Sequence, residues 1–244
     1  MKQVKVLKLY LCIMEYNIVE VIQEAPRVRR FILQPEVASA TNFTPGQFIV
    51  LQMDSPEHGI IQRSYSISSK QASEEHLELC IGLNDNGIFT PWLFEQKPGF
   101  RIVGSEPQGN FIFIDSEAHV PQIFICTGTG VAPFRSMIAK ALKMNDTPVY
   151  LVFGNRHSDD ILYHEEWKQL AQQNLNFHYH PVLSRQKQSF AHSGYVHPVY
   201  TKILEKVSDA QIYVCGWQKM LVETRRNLKA MGFNRKQYHF EQYD

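Results

Sequence analysis

The sequence predicts two units in tandem: an antiparallel β-barrel or sandwich, followed by an α/β doubly wound unit built on a parallel sheet. Residues 19–113 show short runs rich in Ile, Val, Phe and Tyr separated by turn residues, the punctuation of antiparallel all-β folds. After Pro121 the texture changes, and residues 123–126, 149–153 and 212–215 are nearly continuous apolar runs, as expected of strands buried on both faces. The length of 244 residues suits two domains of roughly 100 to 150 residues each.

In the first unit, residues 48–53, 65–68, 77–83 and 101–103 read as strands, with turns at Pro45-Gly46, residues 84–87 and Pro98-Gly99. Residues 9–14 form a short, interrupted apolar stretch followed by Glu15, with no small-residue cleavage site, and read as a first strand or a disordered lead-in. The boundary falls near residues 117–121, giving units at 1–118 and 119–244. In the second unit, residues 133–143 place Phe134, Met137, Ile138, Ala141 and Leu142 on one helical face, with Pro133 at a first helical position. Strand, glycine turn, then helix is the opening of a doubly wound fold.

Lys and Arg number 25 against 24 Asp and Glu, so no long-range field gathers polyanions such as nucleic acid. No apolar run approaches the roughly 20 residues of a membrane helix, and the chain is expected in solution, in the cytoplasm. Cys12, Cys80, Cys126 and Cys215 lie too far apart for the short spacings of zinc sites, redox dithiols or iron-sulfur clusters. They read as free thiols of a reducing compartment. Asp159 and Asp160 before a helical run read as an N-terminal cap with acidic first-turn residues rather than metal ligands beside His157, His164, Glu165 and Glu166. His178, His180, His192 and His197 show no convergent pattern, so no metal is expected.

The turn from Cys126 through Thr127, Gly128, Thr129, Gly130, Val131, Ala132 and Pro133 to Phe134 brings backbone N–H groups to a helix N-terminus, where a pyrophosphate fits. A plain strand-to-helix connection also favours glycine. Pro133 stands where a Gly-x-Gly-x-x-Gly fingerprint has its third glycine.

Together with Arg63-Ser64-Tyr65-Ser66, Gly87-Ile88-Phe89-Thr90, Cys215-Gly216 and the tail Glu241-Gln242-Tyr243, this turn resembles the ferredoxin-NADP reductase superfamily, whose members pair an FAD-binding barrel with a pyridine-nucleotide domain. The resemblance runs from about Tyr16 to the end of the chain. It implies that Arg63 meets the FAD pyrophosphate, Tyr65 stacks on the isoalloxazine and Ser66 faces the flavin N5 edge, with Ser64 in the same motif. Gly87, Ile88, Phe89 and Thr90 correspond to a second phosphate-binding turn. Thr127, Gly128, Thr129, Gly130 and Pro133 correspond to the nucleotide loop. Ser66, Cys215 with Gly216, and Glu241 would line the hydride slot, and Tyr243 would shield the flavin. Asp244 after Tyr243 departs from plant-type relatives that end on an aromatic residue. For the adenosine end, Ser184 and Arg185 correspond to the 2′-phosphate reader, with Arg156 a second candidate and Lys187 and Tyr195 helping. NADP(H) is favoured and NAD(H) stays open.

The resemblance further implies electron transfer, since FAD accepts a hydride and releases electrons singly. With no clustered cysteines, the one-electron carrier is expected to be a separate protein such as ferredoxin or flavodoxin. Arg27, Arg29, Arg30, Arg225, Arg226, Lys229, Arg235 and Lys236 form a candidate basic docking rim, or simply solvated charges. Rival readings are a reductase component of an oxygenase, a reductase of free flavin or quinones, and a flavin-binding regulatory protein without turnover.

Overall fold

The computed structural model describes residues 13–37, 41–71, 75–117, 119–144, 146–207 and 209–243. Cys12, most of the 9–14 stretch, position 118 at the expected boundary and Asp244 lie outside the described residues.

The first sheet is a six-stranded antiparallel structure. Its strands are β1 (Ile13–Ala25), β2 (Val28–Pro35), β3 (Phe48–Ser55), β4 (Gly59–Ser66), β5 (Leu77–Gly82) and β6 (Arg101–Ser105), ordered β4-β3-β6-β1-β2-β5. Beyond the end of β4, an antiparallel bridge between Ile67 and Leu79 and the bond from Ser68 N–H to the Glu78 carbonyl (2.7 Å) join β4 to β5 and close the barrel. Alternation puts Ile49, Leu51 and Met53 of β3 and Leu77, Leu79 and Ile81 of β5 inside, as a half-buried sheet requires. A short helix, α1 (Phe89–Glu95), sends Phe89 and Leu93 into the barrel core; it begins within the segment that sequence motifs describe only as a turn.

The second sheet is wholly parallel. Strands β7 (Gln122–Thr127), β8 (Val149–Asn155), β9 (Phe177–Leu183), β10 (His192–Ser193), β11 (Gln211–Trp217) and β12 (Tyr238–Tyr243) lie in the order β10-β9-β8-β7-β11-β12. Helices α2 (Ala132–Met144), α3 (His164–Gln173), α4 (His197–Leu204) and α5 (Gln218–Ala230) alternate with them. Asp159 and Asp160 lie in a separate 3-10 turn, Ser158–Asp160, where the Asp160 carboxylate accepts from His157 N–H. The helical run proper starts only after Tyr163, whose left-handed backbone (φ 55°) breaks the chain direction.

One apolar core spans both units. Phe111 and Phe113, in the connecting segment, pack with Phe124, Phe134 and Tyr213, and Ala25 and Cys80 of the barrel belong to the same cluster. Phe124 is fully buried, stacked on Tyr213 (5.2 Å) and tilted against Phe134 (5.0 Å). Phe124→Ala is expected to lower stability by about 3 to 5 kcal/mol, read as a reduced urea midpoint at unchanged m-value. A loss below about 1 kcal/mol would mean that this aromatic cluster does not support the core.

Candidate active site

The order of the parallel sheet reverses at β7: β8 and β9 lie on one side, β11 and β12 on the other. The crevice at the carboxyl ends of β7 and β11 is therefore a topological switch point, where open α/β sheets bind ligands. The loop after β7 passes through Gly128 at φ 53° into a 3-10 turn, Gly128–Val131, and then α2. A Cβ on Gly130 would fall 2.5 Å from the Cys215 carbonyl oxygen, and one on Gly216 (φ 144°) would fall 2.4 Å from Thr127 Oγ1. Glycine lets these two loops interlock.

The lining supports a polar ligand. Thr127 Oγ1 at the end of β7 and both amide atoms of Asn155 at the end of β8 are buried without a hydrogen-bond partner. Each such orphan costs about 1 to 3 kcal/mol, a penalty a ligand with donors and acceptors would relieve. Asn155 is absent from the sequence-predicted set; its only signal is a polar residue closing the apolar run at 149–153.

From the barrel, Ser66 at the end of β4 donates its hydroxyl to Glu241 Oε2 (3.1 Å) on β12, across 175 residues of chain. Parallel register places Cys215 beside Glu241 and Trp217 beside Tyr243. The Tyr243 hydroxyl is buried beside Ser66, Cys215, Glu241 and Cys80. Ser66, Cys215, Glu241 and Tyr243 thus converge, with Cys80 as an additional neighbour. Burial raises the Glu241 carboxyl to about 7, against the opposing pull of the Ser66 hydrogen bond. Burial also pushes the Cys80 thiol up to about 12 and those of Cys126 and Cys215 well above their usual range. These cysteines are packing groups, not thiolate nucleophiles.

Arg63 and Ser64 are exposed on β4, and Arg63 Nη1 donates to the neighbouring Gln62 carbonyl (2.8 Å). Tyr65 is half-buried, its ring 5.9 Å from that of Phe89. In the Gly87 segment, the Thr90 hydroxyl accepts from Asn84 N–H (2.9 Å) and donates to the Asn84 carbonyl (3.3 Å). Ile88 is exposed and Phe89 is in the core. At the outer end of the sheet, Arg185 N–H donates to the Arg156 carbonyl (3.0 Å), and Ser184 donates through N–H and hydroxyl to the Asn155 carbonyl (3.0 and 3.2 Å). The two arginines are exposed on adjoining strand ends, with Tyr195 nearby in sequence and 73% exposed.

The structure also places two further groups of the sequence reading. Arg30 of the proposed rim is held by Glu24 and Glu78, and Arg27 pairs with Asp85. His180 Nδ1 and His192 Nε2, which lack a metal-ligand spacing in sequence, approach to 3.3 Å. No three His, Cys, Asp or Glu gather as metal ligands among the described residues.

Comparison with known proteins now bears on this geometry. Residues 15–113 match the oxidoreductase FAD-binding domain family and residues 124–226 the oxidoreductase NAD-binding domain family. The chain belongs to the ferredoxin-NADP reductase superfamily. It is an FAD-dependent NAD(P)H oxidoreductase. The reductase is 28% identical over 239 residues to ferredoxin-NADP reductase B of Sorangium cellulosum, covering 94% of this chain and 97% of that one. It is also 28% identical over 231 residues to the glycine betaine monooxygenase reductase subunit of Pseudomonas aeruginosa, covering 92% of this chain and spanning 63% of that relative's length. In fold it resembles a ferredoxin NADP+ reductase from Neisseria gonorrhoeae (TM-score 0.80, 23% identity, 94% of this chain and 98% of that chain). Among its described residues, no helix is long and apolar enough to cross a membrane.

Glu241 gives the reductase a titration. A carboxyl whose folded pKa is raised holds its proton more tightly when folded, so its effect on stability is absent below about 4.5 and the protein loses stability as pH rises through about 7. Glu241→Gln should remove that decline, gaining at most about 3 kcal/mol over wild type at pH 8 and little at pH 4. Urea midpoints measured between pH 4 and 8 check this; parallel curves for the two proteins would refute it.

Proposed function

We propose that this reductase passes electrons between NADPH and a separate one-electron carrier protein of the ferredoxin or flavodoxin type, with the two units divided at 118 and 119. The observation that carries the NADPH reading is the joining of Arg156 and Arg185 at neighbouring strand ends, two permanent cations suited to a 2′-phosphate. The Sorangium relative, matched along almost its entire length, bears the ferredoxin-NADP reductase name and supports the same reading. Cys80, Cys126 and Cys215 as free, buried thiols suit a reducing cytoplasm.

In this reading Arg63 would hold the FAD pyrophosphate and Tyr65 would cover the flavin ring, with Ser64 and residues 87–90 completing that side. The amides of Gly128, Thr129 and Gly130, with Thr127 and Asn155, would hold the dinucleotide, and Pro133 sets the start of α2. The bound flavin supplies the exchange between a two-electron hydride and single electrons. Ser66 and Glu241 orient the pocket through their mutual hydrogen bond. Glu241, with a pKa near 7, can hold or yield a proton at Oε2 close to neutral pH. Cys215 and Gly216 form the wall against the Gly130 loop, and Tyr243 shields the flavin face.

A second reading, a reductase component of an oxygenase, is favoured by the Pseudomonas relative. A panel of ferredoxin, flavodoxin and free flavin as acceptors tests the proposed partner class: efficient reduction of free flavin alone, with neither carrier protein reduced, would remove it.

For the nucleotide, Arg185→Ala should lower kcat/KM for NADPH by about ten- to a hundredfold while leaving NADH within about twofold, since one charge-assisted hydrogen bond is worth about 1.5 to 3 kcal/mol. Equal losses with both nucleotides would end the assignment of Arg185 as the 2′-phosphate reader.

A further inference from the structure

Arg135 lies in the first turns of α2, five positions after Gly130, and is 7% exposed. Its side chain leaves the α/β unit and enters the closing seam of the barrel. Nη1 donates to the Ser68 carbonyl (2.6 Å) and to Glu78 Oε1 (2.6 Å), while Nη2 donates to Glu166 Oε2 (2.7 Å) on α3. The guanidinium carbon sits 3.9 Å from the ring centroid of Tyr163.

Tyr163 is built to meet it. Its hydroxyl donates to Glu78 Oε1 (2.7 Å) and its backbone N–H to Glu24 Oε1 (2.7 Å), both on the barrel. Among the described residues it is the one non-glycine residue with positive φ, a conformation that is strained for a bulky side chain and persists only where surrounding contacts impose it. Arg30 adds ion pairs to Glu24 (2.8 Å) and Glu78 (3.3 Å) from the barrel side.

Both ends of this clamp lie close in sequence to the active-site elements. Ser68 is two residues beyond Ser66, and Glu78 is two before Cys80, which neighbours the Tyr243 hydroxyl. At the other end α2 continues directly from the Gly128–Val131 turn. A packed apolar interface tolerates small slides, whereas fork-shaped guanidinium bonds to three acceptors admit one placement. Transfer between two bound rings depends on their approach to within a fraction of an ångström.

We infer that Arg135 is a positioning residue: its clamp on Ser68, Glu78 and Tyr163 sets the separation between the nucleotide loop and the Ser66 side of the flavin pocket. This rests on the nicotinamide-to-flavin reading above. The test uses FAD-loaded Arg135→Gln, Arg135→Lys and, as a milder change with less risk to folding, Tyr163→Phe. Three quantities are measured: amide hydrogen exchange, apparent NADPH affinity, and the limiting rate of flavin bleaching per bound flavin in stopped flow. Arg135→Gln is expected to slow bleaching by about 30- to 100-fold with affinity within about threefold. Lys should restore part of the rate, and Tyr163→Phe should slow it by about three- to tenfold. Exchange at residues 66–68 and 78–80 should quicken at least about tenfold in Arg135→Gln. Limiting rates within twofold of wild type, with only melting temperature lowered, would overturn the inference and leave Arg135 a stabilising residue. If Arg135→Gln does not fold, an unchanged limiting rate in Tyr163→Phe overturns it equally. Failure of wild type to bleach with any nicotinamide would instead overturn the functional reading, while hydrogen exchange would still report on the clamp.

Discussion

The guanidinium of Arg135 stays charged at any pH a protein meets, so burying it demands acceptors in fixed places. It finds them in the Ser68 carbonyl and Glu78 of the barrel and in Glu166 of the α/β unit. Such a pair adds little stability compared with a well-packed apolar substitute, yet removing one partner strands the other at a cost of about 3 to 5 kcal/mol. Its main consequence is geometric, because only one relative placement of the two units satisfies every donor. Tyr163, held in a left-handed conformation between Arg135, Glu24 and Glu78, carries that placement into the start of α3.

Around this fixed point the remaining architecture is consistent. The barrel closes at the Ile67–Leu79 bridge, beside the residues Arg135 grips. Phe111 and Phe113 carry the chain from barrel to sheet within an aromatic core shared with Phe124, Phe134 and Tyr213, and the Tyr213 hydroxyl accepts from Ile114 N–H (3.1 Å). The sheet reverses order at β7, next to the glycine loop, so the crevice of the doubly wound unit faces the end of β4.

The pocket lining that results is polar but close to neutral. Burial raises the Glu241 carboxyl to about 7 and keeps the Cys215 thiol protonated. Ser66, Glu241, Cys215 and Tyr243 converge without a thiolate nucleophile among them, in keeping with a family whose bound cofactor carries the redox chemistry.

The division into an antiparallel and a parallel unit was legible in the sequence because solvent exposure leaves a periodic trace: alternation in the barrel strands, unbroken apolar runs in β7, β8 and β11. The glycine loop was legible because a tight approach of backbones excludes a Cβ. The convergence of Ser66, Cys215, Glu241 and Tyr243 came from ordered motifs, since no local periodicity links positions 175 residues apart. Arg135 carried no such trace; in a helical pattern it is one cation on an otherwise apolar face, and its partner Glu78 lies 57 residues away. The His180–His192 approach and the capture of Arg30 by two carboxylates were equally silent, and Asn155 showed only as a polar residue closing an apolar run. Sequence pattern records how deeply each residue is buried and which turn it can make, because those are local energies. Which buried charge meets which carboxylate depends on strand order and the docking of two units, and that is decided only when the tertiary fold brings them together.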